Sequence, residues 1–103
     1  MAQAVQFAGK WHGLGYTQEG TCPQFEIFVS VVEGKIQGEA VLPDQTYEIE
    51  GNLGRDGGFA AQVEFFSIAF AELKGDMGPS SGRGQWHTFK GTNCAGTFEV
   101  TKL

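Results

Sequence analysis

Residues 24–42 read QFEIFVSVVEGKIQGEAVL, and this stretch decides the class of fold. Large apolar residues recur at every second position of Gln24–Val32, as they do along a half-buried β-strand. They are Phe25, Ile27, Val29 and Val31. Glu33-Gly34 then predicts a tight turn into a second strand over Lys35–Leu42. The stretch therefore predicts an antiparallel β-hairpin.

The same signature extends in both directions along the chain. Breaks that contain Gly recur about every 10–14 residues and separate short segments rich in Phe, Val, Ile and Thr. Further strands are predicted over Ala8–Tyr16, Thr46–Leu53, Gln85–Phe89 and Gly96–Leu103. Gly75–Gly84 is predicted to be the longest loop, because it is rich in Gly, Ser and Pro.

Residues 59–74 fit two patterns. Phe59, Val63 and Phe66 begin a series at spacings of three and four, which is a helical face. The same residues also alternate as two strands joined by a tight turn at Phe66-Ser67. Consecutive aromatic and β-branched residues favour a sheet. We therefore predict two strands here, with one helix near residues 59–74 as the alternative.

Eight short strands with tight connections predict an all-β fold, a small antiparallel up-and-down barrel in a single domain over residues 1–103. A formal net charge of −5 argues against nucleic acid as a partner, since nucleic acid selects a basic surface. No apolar run approaches the roughly 20 residues of a membrane span.

The two cysteines, Cys22 and Cys94, fall in the first and the last connection of the predicted barrel. These two connections lie at the same end, and the first and eighth strands are neighbours, so the topology brings the thiols together. A disulfide is therefore predicted, with two buried thiols of a cytoplasmic protein as the alternative. Two cysteines are too few for a structural zinc site, and no metal or other cofactor is expected.

The start of the chain, Met1-Ala2-Gln3-Ala4, has no charged n-region and no apolar h-region. No signal peptide is therefore visible. This is compatible with a cytoplasmic protein, and equally with a mature secreted domain that carries an added Met.

The alternation predicts a barrel that is mostly filled by its own side chains. The large inward candidates are Trp11, Phe25, Ile27, Val29, Val31, Ile36, Leu42, Tyr47, Ile49, Leu53, Phe59, Val63, Phe65, Ile68, Phe70, Trp86, Phe98 and Val100. Gaps are expected at the small inward residues Gly38, Ala40, Gly51 and Ala61. Any ligand would then be small and flat and would pack on Trp11, Tyr47 or Trp86, although all three also fit as core residues.

Arrangements that carry catalysis are missing from the sequence. The serines show no G-x-S-x-G motif, and no calcium loop, P-loop or dinucleotide fingerprint occurs. His12 and His87 follow the two tryptophans in the repeated pattern G-x-W-H, and alternation places both histidines on the outer face. They are expected to be too far apart to share a metal ion. The sequence therefore argues against an enzyme.

Phe7-Ala8-Gly9-Lys10-Trp11 resembles the G-x-W start of lipocalins, fatty-acid-binding proteins and avidins, whose barrels bind small ligands. A wider pattern runs through 32-VEGKIQG-38, 47-YEIEG-51, Gly84-Gln85-Trp86 and 94-CAGTF-98. With Cys22, it resembles a type of small two-cysteine β-barrel domain in bacterial, often exported, proteins. That resemblance implies a barrel, a disulfide and export, and it implies no particular activity.

We therefore expect a non-enzymatic binding module, secreted or periplasmic, that takes a small hydrophobic or aromatic ligand at a barrel mouth. The alternative is a protein-interaction or inhibitor domain that acts through surface loops, through Gly75–Gly84 and exposed aromatic residues such as Phe28 or Phe66.

Overall fold

A computed structural model describes residues 6–90 and 93–103 of the chain. Predictions that concern residues 1–5 lie outside this range. The described residues form eight β-strands: β1 (Gly9–Glu19), β2 (Phe25–Val32), β3 (Lys35–Val41), β4 (Thr46–Leu53), β5 (Gly58–Phe65), β6 (Ile68–Met77), β7 (Ser81–Thr88) and β8 (Ala95–Lys102).

Each strand pairs antiparallel with the next one along the chain, and β1 also pairs with β8, so that the sheet closes into a barrel. The predicted all-β, up-and-down, eight-stranded architecture is confirmed. The helix offered as an alternative for residues 59–74 is wrong, since these residues form β5 and most of β6. None of the described residues forms a helix with the length and apolarity that a bilayer crossing requires.

The predicted hairpin of residues 24–42 has the expected register. Val31 lies opposite Ile36 and Val29 opposite Gly38, and the side chains of Phe25 to Val31 alternate between buried and exposed. Glu33 and Gly34 have φ values of 52° and 78°. Positive φ at both central residues is what a type I′ turn requires, and that turn matches the twist of the strands.

The Gly75–Gly84 segment was predicted to be a loop, and this prediction is wrong. β6 continues to Met77 and β7 begins at Ser81, so only three residues connect the two strands. Gly75 lies directly opposite Gly84 in the ladder. The glycines of this segment therefore allow two backbones to approach closely, and their number does not signal irregular structure.

The hairpin of β5 and β6 turns at Phe66-Ser67 as predicted, but the side chains of Phe65 and Ile68 are not buried. A β-bulge shifts the register after Val63, which lies opposite Ala71, whereas Glu64 lies opposite Ala69. Phe65 and Ile68 form the last pair of the ladder before the turn, beyond the buried part of the barrel, and they are 36% and 56% exposed. These two inward candidates are therefore not part of the buried core.

Buried side chains fill one end of the barrel. Phe7, which precedes β1, is buried, and its backbone carbonyl accepts a hydrogen bond of 3.0 Å from the indole of Trp11. Met77 and Ile36 are buried at the same level of the barrel. Phe7, Leu73 and Met77 were not among the expected core residues. Because Phe7 folds across this end, the barrel is closed there.

Two of the expected gaps are not gaps. A Cβ atom at Gly38 would overlap the backbone of Phe28 and Val29, and one at Gly51 would overlap the backbone of Ala60 and Ala61. The neighbouring strand fills the space that a side chain would take. Gly38 and Gly51 therefore let the strands bend sharply around a small barrel.

Candidate functional site: the barrel mouth

Because successive strands run in opposite directions, the connections between them fall alternately at the two ends of the barrel. The connections β1–β2, β3–β4, β5–β6 and β7–β8 lie at one end, which we call the mouth. The three other connections lie at the opposite end, together with Phe7 and the C-terminal Leu103.

A cavity of about 110 Å³ lies at the mouth. Its wall is almost entirely apolar and comes from β2 to β7 and from the β1–β2 and β3–β4 connections. The lining residues are Cys22, Pro23, Phe25, Ala40, Leu42, Tyr47, Val63, Phe70, Ala71, Leu73, Trp86 and Thr88. A concave apolar site of this kind is the usual form of a small-molecule site.

Small side chains leave this space open. Ala40 and Ala71 are both buried and both line the cavity, where most neighbouring inward positions carry larger residues. Opposite them, the ring of Phe25 lies over Gly15, where a Cβ atom would overlap it. Phe25 is thereby drawn to the β1 side of the barrel, and the β3–β6 side stays unfilled.

Tyr47 and Trp86, two of the three predicted ligand-binding residues, line this cavity. Trp86 is fixed by a hydrogen bond of 3.1 Å from its Nε1 to the carbonyl of Tyr16 and by an edge contact with Phe25 at 5.2 Å. Tyr47 packs on Phe70 with ring centroids 4.6 Å apart. The third predicted residue, Trp11, lies near the closed end, opposite Val29 and Lys102, and does not line the cavity.

Cys22 and Cys94 form a disulfide with Cα atoms 6.2 Å apart, which confirms the predicted pairing. Cys22 contributes to the cavity wall, and Cys94 is buried behind it. The Thr88 hydroxyl accepts a hydrogen bond of 2.9 Å from the amide of Cys94, and the Thr88 amide donates one of 2.9 Å to the carbonyl of Cys94. The hydroxyl and the amide of Thr88 are thus engaged with the backbone of Cys94, and little of the wall is polar. A disulfide is typical of an oxidising compartment, such as an extracellular or periplasmic one.

A line of aromatic rings continues from the cavity to the rim. Tyr47 contacts Phe65 at 5.5 Å between ring centroids, and Phe65 contacts Phe66 at 4.4 Å. Phe66 is 83% exposed at the tip of the β5–β6 hairpin, and Phe89 on the β7–β8 connection is 52% exposed. Aromatic rings in contact therefore connect the cavity wall to the hairpin tip.

The two histidines lie on the outer wall of the barrel. His12 packs on Phe28 at 4.7 Å, and its Nε2 lies 3.2 Å from a carboxylate oxygen of Glu26. His87 is exposed on β7. Over residues 6–90 and 93–103, no group of three or more His, Cys, Asp and Glu side chains is arranged to hold a metal ion. Among the described residues, the mouth is therefore a concave site with a mostly apolar lining.

The sequence alone missed Phe70 and Ala71 as neighbours in the cavity wall. Strict alternation places them on opposite faces of β6. The bulge, in which Phe70 is the extra residue between Ala69 and Ala71, brings both to the cavity. The spacing of Phe70 and Leu73, which also fits a helix, was the one sign in the sequence that alternation fails here.

No protein-family model, curated protein or solved structure matches this chain. The resemblances to lipocalin-like and bacterial two-cysteine barrels stay predictions.

Proposed function

We propose that this domain is a non-enzymatic binding module that takes a small apolar or aromatic ligand at the barrel mouth. The observation that carries the proposal is the apolar cavity between Tyr47, Phe70 and Trp86. Burial of apolar surface against aromatic side chains is the main source of affinity in such sites.

The size of the cavity limits the ligand. A volume of about 110 Å³ is far below the roughly 300–1,000 Å³ of sites for drug-sized molecules. It is close to the engineered cavity of about 150 Å³ that binds benzene. We therefore expect a ligand, or a part of one, that consists of a single ring or a short branched chain.

The test is a titration with toluene, indole, phenol and cyclohexane, followed by tryptophan fluorescence. Trp86 lines the cavity and will report a bound ring, whereas Trp11 at the closed end will not. The substitution Ala71→Leu adds a larger side chain that fills the cavity. It should therefore abolish saturable binding of these molecules.

The matched control is Ala60→Leu, the same substitution on the outward face of β5, where the side chain is exposed. It should leave binding unchanged. Absence of saturable binding across the panel, or equal binding by Ala71→Leu and the unaltered protein, would contradict the proposal.

We further propose that the domain acts outside the cytoplasm, as a secreted or periplasmic protein. The Cys22–Cys94 bridge and the resemblance to exported bacterial two-cysteine barrels support this assignment. Alkylation of thiols in intact cells tests it. A cytoplasmic pool with both thiols free would contradict it.

A protein-interaction or inhibitor domain acting through surface loops is the second candidate. It is favoured by the exposed aromatic residues Phe66 on the β5–β6 turn and Phe28 on β2, which are 83% and 41% exposed. The variant Ala71→Leu distinguishes the two functions. Ala71→Leu removes small-ligand binding but leaves the aromatic residues of the surface in place.

A further inference from the structure

The mouth end carries a protruding apolar side chain beside an apolar cavity. Phe66 stands at the hairpin tip, and Phe65 and Tyr47 connect its ring to the cavity wall through centroid distances of 4.4 and 5.5 Å. We call Phe66 the knob and the cavity at the mouth the hole. Knob and hole lie two ring contacts apart on the same surface.

Both the backbone conformation and the exposed ring at the hairpin tip cost free energy, and an isolated domain requires neither of them. Phe66 and Ser67 have φ values of 53° and 68°, the left-handed region that a type I′ turn requires and that Asn and Gly adopt most easily. An aromatic residue at this position is strained, and its ring is held in water. A contact that buries the ring would offset both costs.

We infer that two copies of this chain associate mouth to mouth, with Phe66 of each copy inserted into the cavity of the other. A two-fold axis in the plane of the contact, midway between knob and hole, places each knob over the partner's hole. The contact is then made twice by one surface, and the assembly closes as a dimer.

Size supports this occupant. A cavity of about 110 Å³ that opens at the mouth can accept most of a phenyl ring, since about 150 Å³ encloses benzene fully. Exposed Ile68 and Phe89 lie beside the knob and the hole and would be covered in the same contact. Aromatic anchors in pockets with apolar surroundings are the usual centres of protein interfaces.

Charge favours the mouth as the surface where copies meet. The chain carries a net charge of −5, so two copies repel each other on average. Yet the described residues of the four connections at the mouth carry only Asp44 and Lys90 as charged groups, which cancel. Many carboxylates, such as Glu39, Glu48 and Glu50, lie on the outer wall, which a mouth-to-mouth contact leaves in water.

The test is sedimentation velocity of the whole chain from micromolar to millimolar concentration. Phe66→Asn removes the knob and is compatible with the turn, because Asn adopts positive φ readily. It should keep the fold and raise the dimer dissociation constant by at least about tenfold. Val32→Thr, at an exposed position of the opposite end, is the control and should leave self-association unchanged.

Mixing two complementary variants distinguishes a knob-and-hole contact from non-specific association. Ala71→Leu keeps the knob and fills the hole, whereas Phe66→Asn keeps the hole and lacks the knob. Neither variant should dimerise alone. An equimolar mixture should form a heterodimer with one of the two contacts, weaker than the unaltered dimer and stronger than either variant alone.

Several results would overturn the inference: a monomer at all concentrations, a dimer that is insensitive to Phe66→Asn, or no gain on mixing. Binding of the monomer to phosphatidylcholine vesicles that depends on Phe66 would instead assign the tip to a lipid surface. The inference shares the cavity with the proposed function, but the two fail separately. Toluene binding is measured on dilute monomer, where Phe66→Asn should bind as the unaltered protein does.

Discussion

At the level of single residues, several glycines of the barrel are covered by aromatic rings from an adjacent strand. A Cβ atom at Gly15 would overlap the ring of Phe25, and one at Gly84 would lie 2.7 Å from Cζ of Phe98. One at Gly96 would lie 3.0 Å from Nε1 of Trp86. The rings cover backbone that a glycine leaves bare, an arrangement known to stabilise sheets. They also set where the large side chains stand, and hence where the cavity remains.

Gly15→Ala should therefore destabilise the domain by about 1–3 kcal/mol, as overpacking of a core does. The new methyl group has to displace the Phe25 ring, which packs at 5.2 Å on Trp86 and lines the cavity. Urea denaturation measures the loss. Gly54→Ala is the matched control, because a Cβ atom there meets no atom closer than 3.3 Å. Equal stability of the two variants would contradict this account of Phe25.

At the level of elements, periodicity predicts strands well where both neighbours pair without interruption. β2, β3 and β4 alternate along their whole length, and their predicted bounds agree with the structure to within one residue. β5 and β6 are harder, because a bulge adds one residue to β6 and changes which face each side chain takes. A bulge depends on the pairing of two strands, and the pattern within either strand does not reveal it.

A row of like charges crosses three neighbouring strands of the outer wall. Glu48 lies directly opposite Glu39 on β3 and Glu64 on β5. Like charges in directly opposed positions destabilise a sheet, and each pair contributes about 0.2–1 kcal/mol. Three of the 12 acidic residues of the chain thus form a row that the sequence alone does not show, because the register of the strands decides it.

Glu48→Lys should therefore stabilise the domain by about 1 kcal/mol, since it turns two repulsive pairs into two attractive ones. The gain should shrink in about 1 M salt, where the screening length falls to roughly 3 Å. Urea denaturation at low and high salt measures both effects. Glu99→Lys is the reverse control, because Glu99 lies opposite Arg83 and its replacement should destabilise. A stability that does not depend on the sign of the charge at position 48 would contradict the argument.

At the level of the whole molecule, the barrel combines a closed end and an open end. Phe7 and Trp11 close one end through a hydrogen bond and through burial, whereas Ala40 and Ala71 leave the other unfilled. The sequence predicted that the sheet closes into a barrel, and it predicted Tyr47 and Trp86 as candidate ligand contacts. It did not separate them from Trp11, because alternation tells which face a residue takes and not at which end of the barrel it lies.

The disulfide links two connections of the mouth and also lies beside the strand pair that closes the barrel. Cys22 and Cys94 are 72 residues apart, and they join the connections at the mouth next to the β1–β8 pairing that closes the sheet. On the chain-entropy model such a bridge stabilises the folded state by about 4 kcal/mol. A small domain has a total stability of only about 5–15 kcal/mol. The bridge therefore supplies a large share of what holds β1 against β8.

The double variant Cys22→Ala, Cys94→Ala should lose about 2–4 kcal/mol of unfolding free energy in urea denaturation, the range typical of a disulfide. Reductant should lower the stability of the unaltered protein by a similar amount and leave the double variant unchanged, which is the control for effects of the substitutions themselves. Because Cys22 also lines the cavity, toluene affinity should fall together with stability. Equal unfolding free energies would mean that the hydrogen bonds and packing between β1 and β8 close the barrel without help, and that the bridge acts only on the mouth.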